Sequence, residues 1–350
     1  MGTGRLRSKL ITGAALAAAL TVAGAGAATA TSSVTLNRIA GTTRWGTSKA
    51  IAQTAFSSAR QALVASGADA NFPDALTANY LAGHGPSPVV LTDPNTLSSE
   101  ALSALQALSV AGVTVVGGTN AVSPNVVAQL QAAGFTVTRV AGSDRFATAE
   151  RIAESTGASV VGTLGSSGKT ALLSTGYNFP DALAGAVAAY AGSFPMLLTD
   201  PNSLSTAASN GMDNLGIRNV VILGGVGAVS ANVEAQVKAK GLTTQRIAGA
   251  DSQGTATAIA DFETANLGFK ADRVELARGD YFPDALSGGP LGGVQLAPIL
   301  LTASPNALST ETHDWLVAHT STITTLNVLG GTSAVSDATA AAAQQAAQGT

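Results

Sequence analysis

The chain has 350 residues, of which 46% are hydrophobic and 4% aromatic, and its 18 Lys and Arg against 21 Asp and Glu give a formal net charge of −3. That balance offers no basic excess to neutralise nucleic-acid phosphates and no acidic surplus of the kind that keeps a chain disordered. Cysteine is absent, which excludes a disulfide framework, a thiolate metal site and a cysteine nucleophile.

The first thirty residues read as a leader. Arg5, Arg7 and Lys9 precede an uncharged run from Leu10 to Ala28, and Ala28-Thr29-Ala30 closes it. A positive start, an apolar stretch and a small-x-small site predict a secretory signal peptide over 1–30, cleaved after Ala30, and hence an exported protein. The rival reading is a retained membrane anchor, because the run approaches the roughly 20 residues that span a bilayer. Its Ala/Gly-rich, weakly apolar content and the lack of a Lys/Arg stop after it favour cleavage.

Beyond the leader, short apolar runs alternate with longer amphipathic ones. Val34–Ile39, Ala62–Ala65, Val89–Leu91 and Val113–Val116 predict buried strands, being brief, aliphatic and closed by Gly, Asp-Pro or Ser. Thr47–Ser58, Asp74–Ala82, Ser99–Leu108 and Pro124–Ala133 predict helices, rich in Ala, Leu and Gln with apolar positions three and four apart. Parallel strands need crossovers, usually helical, so this alternation predicts a small, open, doubly wound α/β domain of flavodoxin or Rossmann type.

The same pattern then recurs twice. Arg38-Ile39-Ala40-Gly41 returns at 139–142 and 246–249, and Phe-Pro-Asp-Ala-Leu stands at 72–76, 179–183 and 282–286. Leu-Thr-Asp-Pro-Asn occurs at 91–95 and 198–202 and relaxes at 301–306, while Gly-Gly followed by Ala-Val-Ser stands at 117–123, 224–230 and 330–336. Four markers in one order, three times, predict tandem domains over 36–135, 137–242 and 244–345, each near the commonest domain size. The Gly/Ser/Thr-rich stretch Ser155–Lys169 is expected as a surface loop, and the Ala/Gln tail from Asp337 as the last helix.

The recurring motifs admit structural and functional readings. Asp74, Asp181 and Asp284 follow a proline and suit the positive end of a helix dipole, or else stand as carboxylates at strand ends, where open α/β sheets bind ligands. Ser98 and Ser205 suit helix caps and the Gly-Gly pairs suit tight turns. Gly165–Thr170 ends like a phosphate loop, but Thr163 replaces the required glycine and a strand, Ala171–Leu173, follows, so nucleotide binding is discarded. His84, His313 and His319 show no ligand spacing and no serine sits in a nucleophile elbow, so neither metal nor cofactor nor catalysis is expected. Arg44-Trp45 and Arg145-Phe146 offer a fork donor for carboxylate or phosphate beside a stacking surface for sugar, or an internal salt bridge between copies. Ser252 and Gln253 replace the pair in the third copy.

Taken together, Arg-Ile-Ala-Gly-x-x-Arg, Phe-Pro-Asp-Ala-Leu, Pro-x-x-Leu-Thr at 88–92, 195–199 and 298–302, and the closing Val-x-Gly-Gly-x-x-Ala-Val-Ser resemble the cell-wall-binding repeat, type 2, of Gram-positive surface proteins. The resemblance covers residues 36–345. It implies three repeats packed about a pseudo-threefold axis within one chain, and a secreted, wall-associated protein held non-covalently to an anionic wall polymer. The family's Pro-Ile-Leu-Leu element, associated with polymer contact, matches Pro298-Ile299-Leu300-Leu301 and departs to Pro195-Met196-Leu197-Leu198 and Pro88-Val89-Val90-Leu91. Leader and repeats together are expected to account for the whole chain, leaving no separate effector. The expectation is a noncatalytic anchor without membrane contact in its mature form. A hydrolase of wall turnover and a surface-lattice protein are the alternatives. A net-negative protein binding an anion requires either local basic clusters or bridging divalent cations.

Overall fold

The computed structural model describes residues 33–350, and the expected leader lies outside the described residues. The first copy runs β1 (Thr35–Ile39), α1 (Arg44–Ala55), β2 (Gln61–Ser66), α2 (Phe72–His84), β3 (Val89–Thr92), α3 (Ser99–Ala107), β4 (Gly112–Val116) and α4 (Pro124–Ala132). The second runs β5 (Thr136–Val140), α5 (Arg145–Glu154), β6 (Thr170–Thr175), α6 (Pro180–Ala184), α7 (Ala186–Ala191), β7 (Met196–Thr199), α8 (Thr206–Leu215), β8 (Asn219–Leu223) and α9 (Ala231–Ala239). The third runs β9 (Thr243–Ile247), α10 (Ser252–Asn266), β10 (Arg273–Arg278), α11 (Gly288–Gln295), β11 (Ile299–Thr302), α12 (Thr310–Ala318), β12 (Thr325–Leu329) and α13 (Asp337–Gln348). Ser98 and Ser205 cap α3 and α8 by accepting from the backbone N–H of Ala101 and Ala208. The stretch 155–169 carries two short 3₁₀ turns, Ala158–Val160 and Gly165–Ser167, and buries Val161.

All strands pair in parallel, in three four-stranded sheets ordered β3-β2-β4-β5, β7-β6-β8-β9 and β11-β10-β12-β1. The Arg-Ile-Ala-Gly strand that opens each sequence copy is thus the edge strand of another copy's sheet. β5 completes the first sheet and β9 the second, while β1, from the start of the described chain, completes the third. This closes the copies into a ring.

Three strands of each sheet are buried on both faces and are largely apolar on both sides of the pleat, whereas the edge strands β1, β5 and β9 alternate with exposed polar residues. In the first sheet Leu63, Ala65, Val89, Leu91 and Val116 face a core shared by all three copies. Ala62, Val64, Val90, Val113 and Val115 pack against the outer helices through Ala104, Leu105, Val126 and Leu130. The other two sheets divide in the same way. Helices α2, α7 and α11 meet at the shared core, and small residues permit it. A Cβ on Gly83 would lie 2.3 Å from the carbonyl oxygen of Tyr190.

The phenylalanines of the three Phe-Pro-Asp-Ala-Leu motifs mark the axis. Their rings form a triangle with centroid separations of 6.0 Å (Phe72–Phe179), 5.0 Å (Phe72–Phe282) and 5.1 Å (Phe179–Phe282). Asp74 and Asp181 lie in first helical turns, but Asp284 falls in a turn before α11. In the third copy the motif runs into Ser287-Gly288-Gly289-Pro290, a sequence poor in helix formers, and the helix starts only at Gly288.

Candidate functional site at the copy junctions

The order β3-β2-β4 places a topological switch point between β2 and β4. The chain leaves β2 for α2, whose Leu76 and Tyr80 face the shared core, and leaves β4 for α4, whose Val126 and Leu130 face outward. Where neighbouring connections diverge, a crevice opens at the carboxyl ends of the strands, the usual ligand position in open α/β sheets. Three such notches occur, one at each junction.

The notch between copies one and two has a volume of about 280 Å³ and is lined by Asp74, Gly118, Asn120, Ser143, Asp144 and Arg145, with Thr148 at its side. Its counterparts contain Asp181, Gly225, Asp251 and Thr255 between copies two and three, and Asp284, Gly331, Arg44 and Thr47 between copies three and one. A cavity of this size is small for a ligand pocket and suits one residue of a polymer.

The recurring motifs converge here through hydrogen bonds. The arginine of Arg-Ile-Ala-Gly donates across the sheet to the carbonyl of the first glycine of the Gly-Gly turn: Arg38 to Gly330 at 3.0 Å, Arg246 to Gly224 at 2.8 Å, and likewise Arg139 to Gly117. Those glycines hold φ of +102° (Gly117), +100° (Gly224) and +105° (Gly330). The aspartates lie against them: a Cβ on Gly117 would stand 2.4 Å from Asp74 Oδ2, and one on Gly224 2.2 Å from Asp181 Oδ2. The Gly of Arg-Ile-Ala-Gly donates its N–H to a threonine six residues on, Gly41 to Thr47, Gly142 to Thr148 and Gly249 to Thr255, at 3.1–3.2 Å. Each threonine in turn lines the same notch as the aspartate of the preceding copy around the ring, Thr148 with Asp74, Thr255 with Asp181 and Thr47 with Asp284.

Burial dominates the electrostatics. It pushes the Asp74 carboxyl up to about 6 against the opposing pull of Arg145 and Thr148. Asp181 is likewise pushed up to about 6, opposed only by Thr255. Asp284 is raised by burial against Thr47, Arg44 and Arg278.

The arginines differ in what they already hold. Arg44 donates to the Gly67 carbonyl and the Tyr281 hydroxyl, both at 2.7 Å, and pairs with Asp69. Arg145 donates to the Gly176 carbonyl at 2.6 Å and, among the described residues, forms no ion pair. The aromatic partners fill space beneath glycines. A Cβ on Gly67 would lie 2.3 Å from the Trp45 ring and one on Gly176 2.6 Å from the Phe146 ring, so both rings are half-buried packing groups. Pro298, Ile299, Leu300 and Leu301 are buried, with Ile299 and Leu301 in the shared core and Leu300 in the outer layer. The structure brings Arg44 and Arg145 to separate notches and keeps the 298–301 element away from all three.

The six-residue Gly-to-Thr spacing, identical in every copy, was the sequence signal for the threonines. Tyr177, Tyr281, Asp69 and Arg278 carry no recurrent signal. Among the described residues no group of three or more His, Cys, Asp or Glu is placed to hold a metal, and no helix is long and apolar enough to cross a membrane.

The family model described as Cell wall binding domain 2 (CWB2) matches residues 38–127, 139–234 and 246–340. The N-acetylmuramoyl-L-alanine amidase LytC of Bacillus subtilis (strain 168) is 28% identical over 308 residues, covering 88% of this chain and 58% of the amidase. The amidase enhancer of the same organism is 32% identical over 230 residues, 65% of this chain and 29% of that protein. The chain therefore spans between about a third and three-fifths of these curated relatives. Among solved structures, Cwp6 from Clostridium difficile superposes with a TM-score of 0.77 at 23% identity, over 89% of this chain and 48% of its own. Cwp8 from the same organism gives 0.75 at 23% identity, over 91% and 52%. The chain belongs to the cell wall binding domain 2 family, carried here as three copies closed into one ring.

Proposed function

We propose that this is a secreted, noncatalytic anchor that holds non-covalently to an anionic secondary polymer of a Gram-positive wall through the junction notches. The observation that carries this reading is the repetition of one notch three times around a closed ring, with an arginine in two of them. Three weak sites on one rigid body act on a polymer as an avidity device, since engagement of one raises the effective concentration at the next. Membership of the cell wall binding domain 2 family, together with the amidase and amidase enhancer among the relatives, supports the wall as the location. Below about pH 6 a protonated Asp74 leaves Arg145 facing a single carboxylate, Asp144, which favours an anion locally in spite of the net negative chain.

Co-sedimentation of the purified protein with Gram-positive walls, before and after extraction of their phosphate- and uronate-bearing polymers, tests the reading. Binding is expected to vanish on extraction and to weaken with salt, as exposed charge is screened within about 10 Å at 0.1 M. Arg145→Gln should weaken it about tenfold, the loss of one charge-assisted contact. Release by a chelator would identify bridging cations. Clearing of a wall-containing gel by the purified protein would overturn the noncatalytic reading, and large assemblies in light scattering would favour a lattice.

A further inference from the structure

Tyr177 is the one aromatic among the exposed large apolar side chains of the described residues, with 57% of its surface open. It follows Gly176 at the carboxyl end of β6, and its neighbour Asn178 lines the notch between copies two and three. Its ring carries the Arg145 guanidinium 5.3 Å from the centroid, and Arg145 lines the notch between copies one and two. Phe146 buttresses the ring edge-on, with centroids 5.7 Å apart and an interplanar angle of 76°. Tyr177 therefore stands on the rim between two notches, held in place by one cation and one aromatic edge, so little conformational entropy is lost when something lies on it.

The other corners of the ring lack this arrangement. In copy three the corresponding segment carries Tyr281, but its hydroxyl accepts from Arg44 at 2.7 Å and donates to Asp69 at 2.9–3.0 Å, so that ring is committed to tying copy three to copy one. In copy one the loop after Gly67 reads Ala68-Asp69-Ala70-Asn71, with no aromatic before Phe72.

An open aromatic face beside a fork-shaped cation without an ion pair suits a ring with an apolar face and an attached negative charge. A pyranose offers an apolar C–H face; an open polyol chain does not. We propose that Tyr177 and Arg145 form a subsite for an acidic pyranose residue, its ring stacked on Tyr177 and its carboxylate or phosphate paired with Arg145. This rests on the anchoring function proposed above and narrows it: the ligand is an acidic polysaccharide rather than a polyol phosphate chain, and one corner of the ring dominates recognition.

The test measures affinity of the purified protein and its variants for two defined polymers of matched charge, a glucuronate-containing polysaccharide and poly(glycerol phosphate). The native protein is expected to bind the polysaccharide at least tenfold more tightly. Tyr177→Ala should lower that affinity by about five- to thirtyfold and leave binding to poly(glycerol phosphate) unchanged, while Tyr177→Phe retains both. The open ring makes an unchanged melting temperature the expected control. Equal losses for both polymers would make Tyr177 a prop for Arg145 and overturn the stacking assignment, as would equal native affinities. If walls still sediment the protein in that case, the anchoring function survives without the subsite; if native protein binds no wall preparation, the anchoring function itself falls.

Discussion

A chain beginning at residue 41 should melt about 6 °C or more below one beginning at residue 33. The eight residues removed contain β1, which pairs through Thr35–Ile39 with Thr325–Leu329 and forms the edge of the third sheet. Val34 and Ile39 are 3% and 7% exposed, and burial of each such side chain contributes roughly 1.5–3 kcal/mol. Arg38 also bonds the Gly330 carbonyl and Asp337, and the backbone carbonyl of Val34 accepts from Gln344 at 2.7 Å. A loss of about 4 kcal/mol or more lowers the melting temperature by about 1.5 °C per kcal/mol in a chain of this size. The deletion also bares the edge of β12, a template for pairing between chains, so the shortened protein should associate. Scanning calorimetry with light scattering reads both effects; equal melting temperatures for the two chains would mean that ring closure contributes little.

Local rules carried much of the fold. The strand and helix runs of the first copy lie within a few residues of their expected bounds, since burial on both faces makes strands apolar and caps mark helix starts. The exchange of edge strands was not legible, because pairing of β1 with β12 joins segments about 290 residues apart and no local pattern encodes it. Polar residues that distinguish the third sheet become meaningful only once registers are known. There Asn37, Asn327 and Glu275 stand in one row, where the first sheet has Thr138, Thr114 and Leu63 and the second Gln245, Val221 and Leu172. Asn37 donates to Asn327 at 3.0 Å, and Asn327 donates to Glu275 at 2.9 Å. Such a row, buried at Asn327 and Glu275 and exposed at Asn37, distinguishes β1 from the other edge strands as the partner of β12, a polar device that specifies register.

The site was half legible for a related reason. Repetition drew attention to Asp74, Asp181, Asp284 and the arginine–aromatic pairs, and the structure places the aspartates and both arginines in the notches. Repetition was a poor guide to Tyr177, which occurs in one copy only. The family resemblance, rather than repetition, drew attention to Pro298–Leu301, whose last three residues lie in a fully buried strand.

Stability should fall as pH rises from about 4.5 to 8, in two windows of which the lower is the steeper. A carboxyl whose folded value lies above its unfolded value keeps a proton in the native state that the unfolded chain has released, so its contribution is present at low pH and lost through the folded value. For Asp74 and Asp181, ordinarily near 3.8 and raised by burial to about 6, the loss ends near pH 6. For Glu275, fully buried with one oxygen unpartnered and pushed up to about 8, it continues to pH 8. Between pH 6 and 8 that single group is worth about 3 kcal/mol, at 1.36 kcal/mol per pH unit. Glu275→Gln should therefore raise the melting temperature by several degrees at pH 8 and lessen the slope in both windows, the remainder of the upper one coming from Glu263, which is fully buried and raised well above its ordinary value, while the double variant Asp74→Asn with Asp181→Asn should lessen the slope of the lower window only. His84, lowered by burial, acts in the opposite sense below its ordinary value of 6.5, so differences between variant and native curves isolate the carboxyls. The two windows also part functionally. Glu275 bonds Asn327 in mid-sheet, away from the notches, and its replacement should leave polymer affinity untouched. Asp74 lines the notch: its ionisation adds a negative charge beside Arg145, so if the polymer sits there its affinity should drop as pH rises through about 6 and become level in Asp74→Asn. A pH-independent affinity in the native protein would place the polymer elsewhere than the notch between copies one and two.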